Sequence, residues 1–225
     1  YFGLEAYPVA MSRRSSGILP YNFPSLQKLN TFIVAVYDIT KQKYVFLDSS
    51  MAVPALNILP LDLAVNKARI LSLKEKEDKK WVNVMALSDN KSFMKIDARI
   101  EGNQVKGHRS TVLYGQEAIE YQTNEKHKQD SLVSNPKNNV SQKEQLTVTN
   151  LKVKKQENDW ALIEEEFDFV LQVNRTDNHL YINPMLFPQL KSNPFIQTER
   201  VLPIEFPYPY KFTMLSTLTL PDGYE

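Results

Sequence analysis

Met94-Lys-Ile-Asp-Ala-Arg-Ile-Glu-Gly-Asn-Gln-Val105 is the stretch whose reading decides the fold class. Met94, Ile96, Ala98 and Ile100 alternate with Lys95, Asp97 and Arg99. A period of two puts the first set on one face of a strand and the second on the other. Gly102-Asn103 breaks the pattern with a two-residue turn of the II′ kind, and Gln104 starts the return strand. Pairing outward from that turn predicts Ile100 opposite Val105 and Asp97 opposite His108. The second pair lies on the polar face and is expected as an exposed cross-strand ion pair.

The same pattern extends on both sides. Residues 4–12 read as a short strand with Pro8 near its middle, hence an edge or a bend. Residues 32–37 read as a buried strand. Asp38 to Gln42 make a turn, and residues 43–48 return as the hairpin partner. Residues 51–70 are apolar but interrupted by Pro54 and Pro60, so they are expected as an irregular segment closing over a core. Residues 74–80 form a charged boundary.

Beyond the central hairpin, residues 115–145 are a polar excursion with a short helix expected near 115–128. Between Gln122 and Gln145 only Leu132, Val133 and Val140 are aliphatic. Few apolar groups are there to offset ordering entropy, so 122–145 is expected to be the most mobile part of the chain. The apolar parity switches from even (Leu146, Val148) to odd (Leu151, Val153), which predicts a bulge near Thr149-Asn150. Residues 160–173 form a long strand with Ala161, Ile163, Phe167, Phe169, Leu171 and Val173 on one face. Glu165 interrupts that face and is expected where the strand leaves the core. In Glu164-Glu-Glu166 neighbouring side chains point to opposite faces, so the run reads as a solvated edge rather than a pair of catalytic acids. The basic run 152–155 reads as surface. A final strand alternates Tyr210, Phe212, Met214, Ser216, Leu218 and Leu220 on one face.

Composition narrows the function classes. The chain has 225 residues, enough to bury a core without a staple. Its 27 Lys and Arg balance 26 Asp and Glu, so no overall field draws nucleic acid or an anionic membrane. Cysteine is absent, which excludes disulfides, thiolate metal sites and a thiol nucleophile within the chain. The three histidines, His108, His127 and His179, have no metal-ligand spacing, so neither a metal nor another cofactor is expected. No apolar stretch is long enough for a membrane-spanning helix. Residue 1 is Tyr, so the chain is expected to begin inside a longer protein.

Several phrases occur together in a familiar order. Gly3-Leu-Glu-Ala-Tyr-Pro-Val-Ala-Met-Ser12, Pro24-Ser-Leu26, Leu29-Asn-Thr-Phe-Ile-Val-Ala35 and Tyr44-Val-Phe-Leu-Asp48 resemble the end of a bacterial transglutaminase-like domain. Tyr181-Ile-Asn-Pro-Met-Leu186, Asn193-Pro-Phe195, Arg200, Pro203-Ile-Glu-Phe-Pro-Tyr-Pro-Tyr210 and Leu220-Pro-Asp-Gly-Tyr224 resemble the segment that follows it. That segment is found in proteins carrying domain-of-unknown-function families 3857 and 3858. The likeness covers both ends of the chain and not its polar middle.

The resemblance implies a mainly β protein in two parts. Residues 1–70 would be the remnant antiparallel sheet of a transglutaminase-like domain, and residues 71–225 an antiparallel, jelly-roll-like β-sandwich. It also implies an extracytoplasmic location in a bacterium. Enzymes of this kind use a cysteine thiolate, a histidine base and an orienting carboxylate. By the likeness, Asp48 takes the carboxylate position and Thr31 the position of the base. The cysteine would lie upstream of Tyr1. A hydroxyl cannot accept a proton at neutral pH, so a non-catalytic homologue is expected. An aspartate ending a strand is also a common turn-former, and that reading of Asp48 stays open.

The run 206–210, Phe-Pro-Tyr-Pro-Tyr, is a stiff aromatic ridge. Tyr208 and Tyr210 could grip a peptide, protein or glycan, or could form a strap sealed onto the sandwich, which is the reading favoured here. Two function classes follow. One is a non-catalytic binding or scaffold module. The other is the back half of a cysteine acyl-transferase or peptidase whose nucleophile lies upstream.

Overall fold

The computed structural model describes residues 4–17, 19, 26–72, 81–130, 146–156, 159–176, 179–189, 193, 195–196, 199, 204, 206 and 208–223. The protein is mainly β. Among the described residues it has two five-stranded sheets, a two-stranded one and one α-helix.

The first sheet is built from β1 (Ala6–Met11), β2 (Thr31–Asp38), β3 (Lys43–Leu47), β4 (Ala68–Ile70) and β5 (Trp81–Val82), in the order β3-β2-β1-β4-β5. All of its pairings are antiparallel. The strand 31–38 is not buried on both faces. Ile33 and Ala35 enter the core, while Phe32 points outward and is 68% exposed. Pro8 does not mark an edge either, since β1 lies in the middle of the sheet. Its carbonyl accepts from the Leu71 amide, just beyond β4, which pairs with β1 only from Val9 to Met11. The N–H that proline lacks would point the same way, so the terminal Pro8–Leu71 pair keeps only one of its two possible hydrogen bonds. As expected, residues 51–70 close over the core, with Leu59, Leu63, Ala68 and Ile70 buried among the strands. The sheet does not stop near residue 70, because β5 pairs with β4 and Val84 fills the same core.

The second sheet has the order β12-β6-β7-β9-β8, from β6 (Lys91–Glu101), β7 (Gln104–Tyr114), β8 (Leu146–Gln156), β9 (Asp159–Gln172) and β12 (Lys211–Thr219). The central hairpin has the register read from the sequence, with Ile100 opposite Val105 and Asp97 opposite His108. Gly102 has φ +60° while Asn103 has no positive φ, which fits a type II′ turn. The bulge also falls where the parity changes. The β8–β9 register shifts between Thr149 and Lys152, and Asn150 takes φ +55°. One strand breaks the all-antiparallel expectation, as β12 runs parallel to β6. Residues 182–210 form a connection long enough to bring the chain back to that edge in either direction.

The inward face of this sheet buries Met94, Ile96, Ile100, Val105, Phe167, Phe169 and Leu171. It is covered by Leu186 and Phe187, with Leu180 of the small sheet β10 (Asn174–Thr176) and β11 (His179–Tyr181) packed alongside. The rings of Phe167, Phe169 and Phe187 meet edge-on, with centroids 5.0–6.5 Å apart. The polar face carries the charges. Lys152 and Lys154 reach across to Glu166 (2.9 Å) and Glu164 (3.4 Å), so the acidic and basic runs satisfy one another on the solvated side.

The expected helix is present as α1 (Gln116–Asp130). Of the stretch 122–145 where mobility was expected, residues 122–130 belong to this helix and begin with the buried Gln122, while residues 131–145 lie outside the described residues. Helix α1 lies against β9 and β7, and its Ile119 packs with Val53 and Ile58 from the segment that closes the first core. This cluster joins the two halves of the chain. Gly115 initiates the helix at φ +67°, and a Cβ there would come within 2.5 Å of the Asn90 side-chain oxygen. That oxygen accepts from the Gln116 amide at 2.9 Å and from the Ser88 hydroxyl at 2.7 Å. Asn90 thereby satisfies one of the helix's open N-terminal donors from a distant segment. None of the helices among the described residues is long and apolar enough to cross a membrane.

Candidate functional site

Thr31 is the first residue of β2, and Asp48 immediately follows β3, the neighbouring strand. The last β2–β3 pair is Val34 with Leu47. Carried one step further, that register would set Asp48 beside Ile33, two residues from Thr31 and on the face that Ile33 and Ala35 share. The Asp48 carboxylate is occupied by its own turn. The Ser50 amide donates to one oxygen at 3.0 Å and the Ser50 hydroxyl to the other at 2.7 Å. The two positions thus share a sheet end, and the hydrogen bonds Asp48 accepts come from Ser50 rather than Thr31.

A second group of polar side chains lies between the second sheet and α1. Glu165 does not mark the point where β9 leaves the core. Its side chain is 13% exposed and faces Arg109, which is 10% exposed, across 3.5 Å. The other Glu165 oxygen accepts from the Tyr121 hydroxyl of α1 at 2.8 Å. Arg109 Nε donates to Thr111 Oγ1 at 3.0 Å, and its guanidinium lies 5.0 Å from the ring centres of both Phe167 and Phe187. Burial pushes the Arg109 pKa down, and the charge of Glu165 opposes that shift. The helix covers this face of the sheet, so a charge at position 165 is met by a partner instead of water.

Tyr208 and Tyr210 close one side of the same region. The Tyr208 hydroxyl is 3.2 Å from both Glu117 and Glu120 of α1, so its single proton is shared between two carboxylates. Burial, followed by the two glutamates, pushes its pKa well above the ordinary phenol range. Burial is also the first cause raising the Glu117 carboxyl, with the Glu120 charge second. The Tyr210 hydroxyl is 2.6 Å from the Ser92 hydroxyl, and Asn90 donates to the Pro209 carbonyl at 3.3 Å. Both tyrosines are half-buried.

The expected ion pair between Asp97 and His108 is not formed, although the register is as read. His108 is flanked on its other side by β9, and its Nδ1 lies 2.8 Å from Asp168. Asp97 takes Lys95 at 2.7 Å instead. Asn150, at the bulge, donates to the other Asp168 oxygen at 2.7 Å. The Asn150 and then the His108 hydrogen bonds hold the Asp168 carboxyl below its usual range.

The C-terminal part of the chain carries a family signature. Residues 178–225 match a family model described as a domain of unknown function with a solved structure (DUF3858). No curated protein and no solved structure matches the chain. The matched segment contains β11, the two core residues Leu186 and Phe187, both tyrosines and the whole of β12. Within it, β12 takes the edge of the second sheet beside β6, while β11 pairs with β10 in the separate small sheet.

Sequence reasoning missed the Arg109–Glu165–Tyr121 group. The available signal was the single acidic residue on the otherwise apolar face 161–173. An inward charge in a strand calls for an inward cation on the neighbouring strand, and Arg109 stands on β7 opposite Phe167, two residues from Glu165.

Proposed function

We propose that this chain is a non-catalytic binding or scaffold module of an extracytoplasmic bacterial transglutaminase-like protein, with a degenerate Cys-His-Asp triad. Two features support the reading. Thr31 stands where the resemblance puts the base, and Asp48 accepts its hydrogen bonds from Ser50. The observation that carries it is that Thr31 and Asp48 lie at the same end of neighbouring strands, the placement that a base and its orienting carboxylate would require. The DUF3858 match at residues 178–225 is consistent with the segment that follows such a domain. Ligands of the peptide, protein or glycan class remain the candidates for the module. The competing proposal is the back half of a cysteine acyl-transferase or peptidase. It requires a nucleophile on an upstream segment and a base from outside position 31.

The layout is tested on this chain by Thr31→His with an NMR pH titration of the new imidazole. A free histidine titrates near 6.5. With the Asp48 carboxylate beside it, the imidazolium is favoured and the pKa is expected to rise above that value. A value at or below 6.5 would mean that the two positions do not converge, and the triad assignment would be withdrawn.

A further inference from the structure

We infer that the cleft between the second sheet, α1 and Tyr210 is a binding site for a free amino acid, held as a zwitterion. The cleft has a volume of about 290 Å³, and its lining includes Arg109, Glu165, Glu117, Phe187, Tyr210 and Phe212. That volume lies just below the roughly 300–1,000 Å³ range of small-molecule sites and is on the scale of one amino acid.

The charges in the wall select the ligand. Arg109 is 8% exposed and carries five N–H donors. Its Nε serves Thr111, and its Nη2 is a long 3.5 Å from Glu165. Among the described residues nothing else accepts from it, so part of the guanidinium fork is open to a carboxylate. A simple anion would nevertheless meet two carboxylates, Glu165 and Glu117, against the single cation. A simple cation would be met by Arg109 with its donors still open. An α-amino acid answers both. Its carboxylate accepts from Arg109 while its ammonium lies toward Glu165 and Glu117, so the ligand's dipole runs antiparallel to the Arg109–Glu165 pair. Glu117 is suited to this, since one of its oxygens accepts from Tyr208 and the other has no donor among the described residues. The Phe187 and Phe212 rings and the Met94 side chain supply an apolar wall for the ligand's side chain.

The inference rests on the binding-module reading and gives that module a free amino acid as ligand in place of a peptide, protein or glycan. It rests on the second sheet, α1 and the segment before β12, away from Thr31 and Asp48, so its failure leaves the Thr31 titration untouched. The test is calorimetric titration of the whole chain with L-leucine and L-lysine, and separately with N-acetyl-L-leucine and L-leucinamide. Saturable binding of a free amino acid is expected, with each blocked derivative at least about tenfold weaker. That is the loss that follows from removing one charge-assisted hydrogen bond. Glu117→Gln keeps an acceptor for Tyr208 and is expected to weaken binding while leaving the melting temperature unchanged. Absence of binding by both free amino acids would overturn the inference. So would equal binding of the blocked derivatives, or undiminished binding by a folded Glu117→Gln variant.

Discussion

Replacing Glu165 by Leu is expected to destabilise the protein by about 3–5 kcal/mol, far more than any change to its neighbours Glu164 and Glu166. Both partners of the Arg109–Glu165 pair are largely shut off from water, at 10% and 13% exposure. Removing one carboxylate leaves a guanidinium under α1 with only Thr111 and two phenyl rings beside it. It also removes the carboxylate to which the Tyr121 hydroxyl donates at 2.8 Å. The reciprocal change, Arg109→Met, leaves the Glu165 charge without its cation and is expected to fall in the same range. Losses of this origin do not add, because the second substitution removes the charge that the first left unpaired. The double variant should therefore be no less stable than either single one, as chemical denaturation would show. Strictly additive losses would mean that the two side chains do not depend on each other.

Gly107→Val is expected to lower stability by about 3 kcal/mol, the upper part of the range for overpacked interiors. For a chain of this length that corresponds to a fall in melting temperature of roughly 6–12 °C. Gly107 pairs with Ala98 on one side and Phe169 on the other, at the middle of β7. A Cβ at this position would lie 2.6 Å from the Asp97 carbonyl oxygen and 2.7 Å from the Ala98 Cβ. The first of these is backbone within a paired strand, so it cannot turn aside. The sheet curls tightly here, and only glycine lets β6 and β7 approach so closely. Thermal denaturation of Gly107→Ala and Gly107→Val should show a graded loss. A neutral valine would mean that the sheet flattens at no cost.

The strand pattern was legible because one face of each strand meets water. In the hairpin 94–108, in β9 and in β12, alternation alone placed the inward residues, and the parity change at Leu146–Val153 located the bulge. Three features were not legible, each because a partner far along the chain decides it. His108 had Asp97 across the hairpin, and nothing local said that β9 would bring Asp168 to its other side. Pro8 reads as an edge or a bend, yet β1 lies inside its sheet because Pro8 meets β4 only at the very end of their pairing. Glu165 reads as a break in an apolar face until α1 is known to cover it and Arg109 to meet it. The sequence located Thr31 and Asp48 at neighbouring strand ends, but the Ser50 hydrogen bonds depend on how the turn after β3 folds back. Tyr208 and Tyr210 were recognised as a ridge, and their hydrogen bonds to α1 and Ser92 tie that ridge to the sheet, in the manner of a strap.

On the proposed reading, no acyl-transfer chemistry runs through the Thr31–Asp48 position. Its most direct test is incorporation of a fluorescent primary amine into a glutamine-containing protein, together with peptide hydrolysis. Both would use the longest natural polypeptide that contains this chain, compared with its Asp48→Ala variant. The account predicts no turnover above the buffer control in either protein. Turnover by the wild-type protein that is lost on Asp48→Ala would show a working carboxylate at this position, and would contradict it.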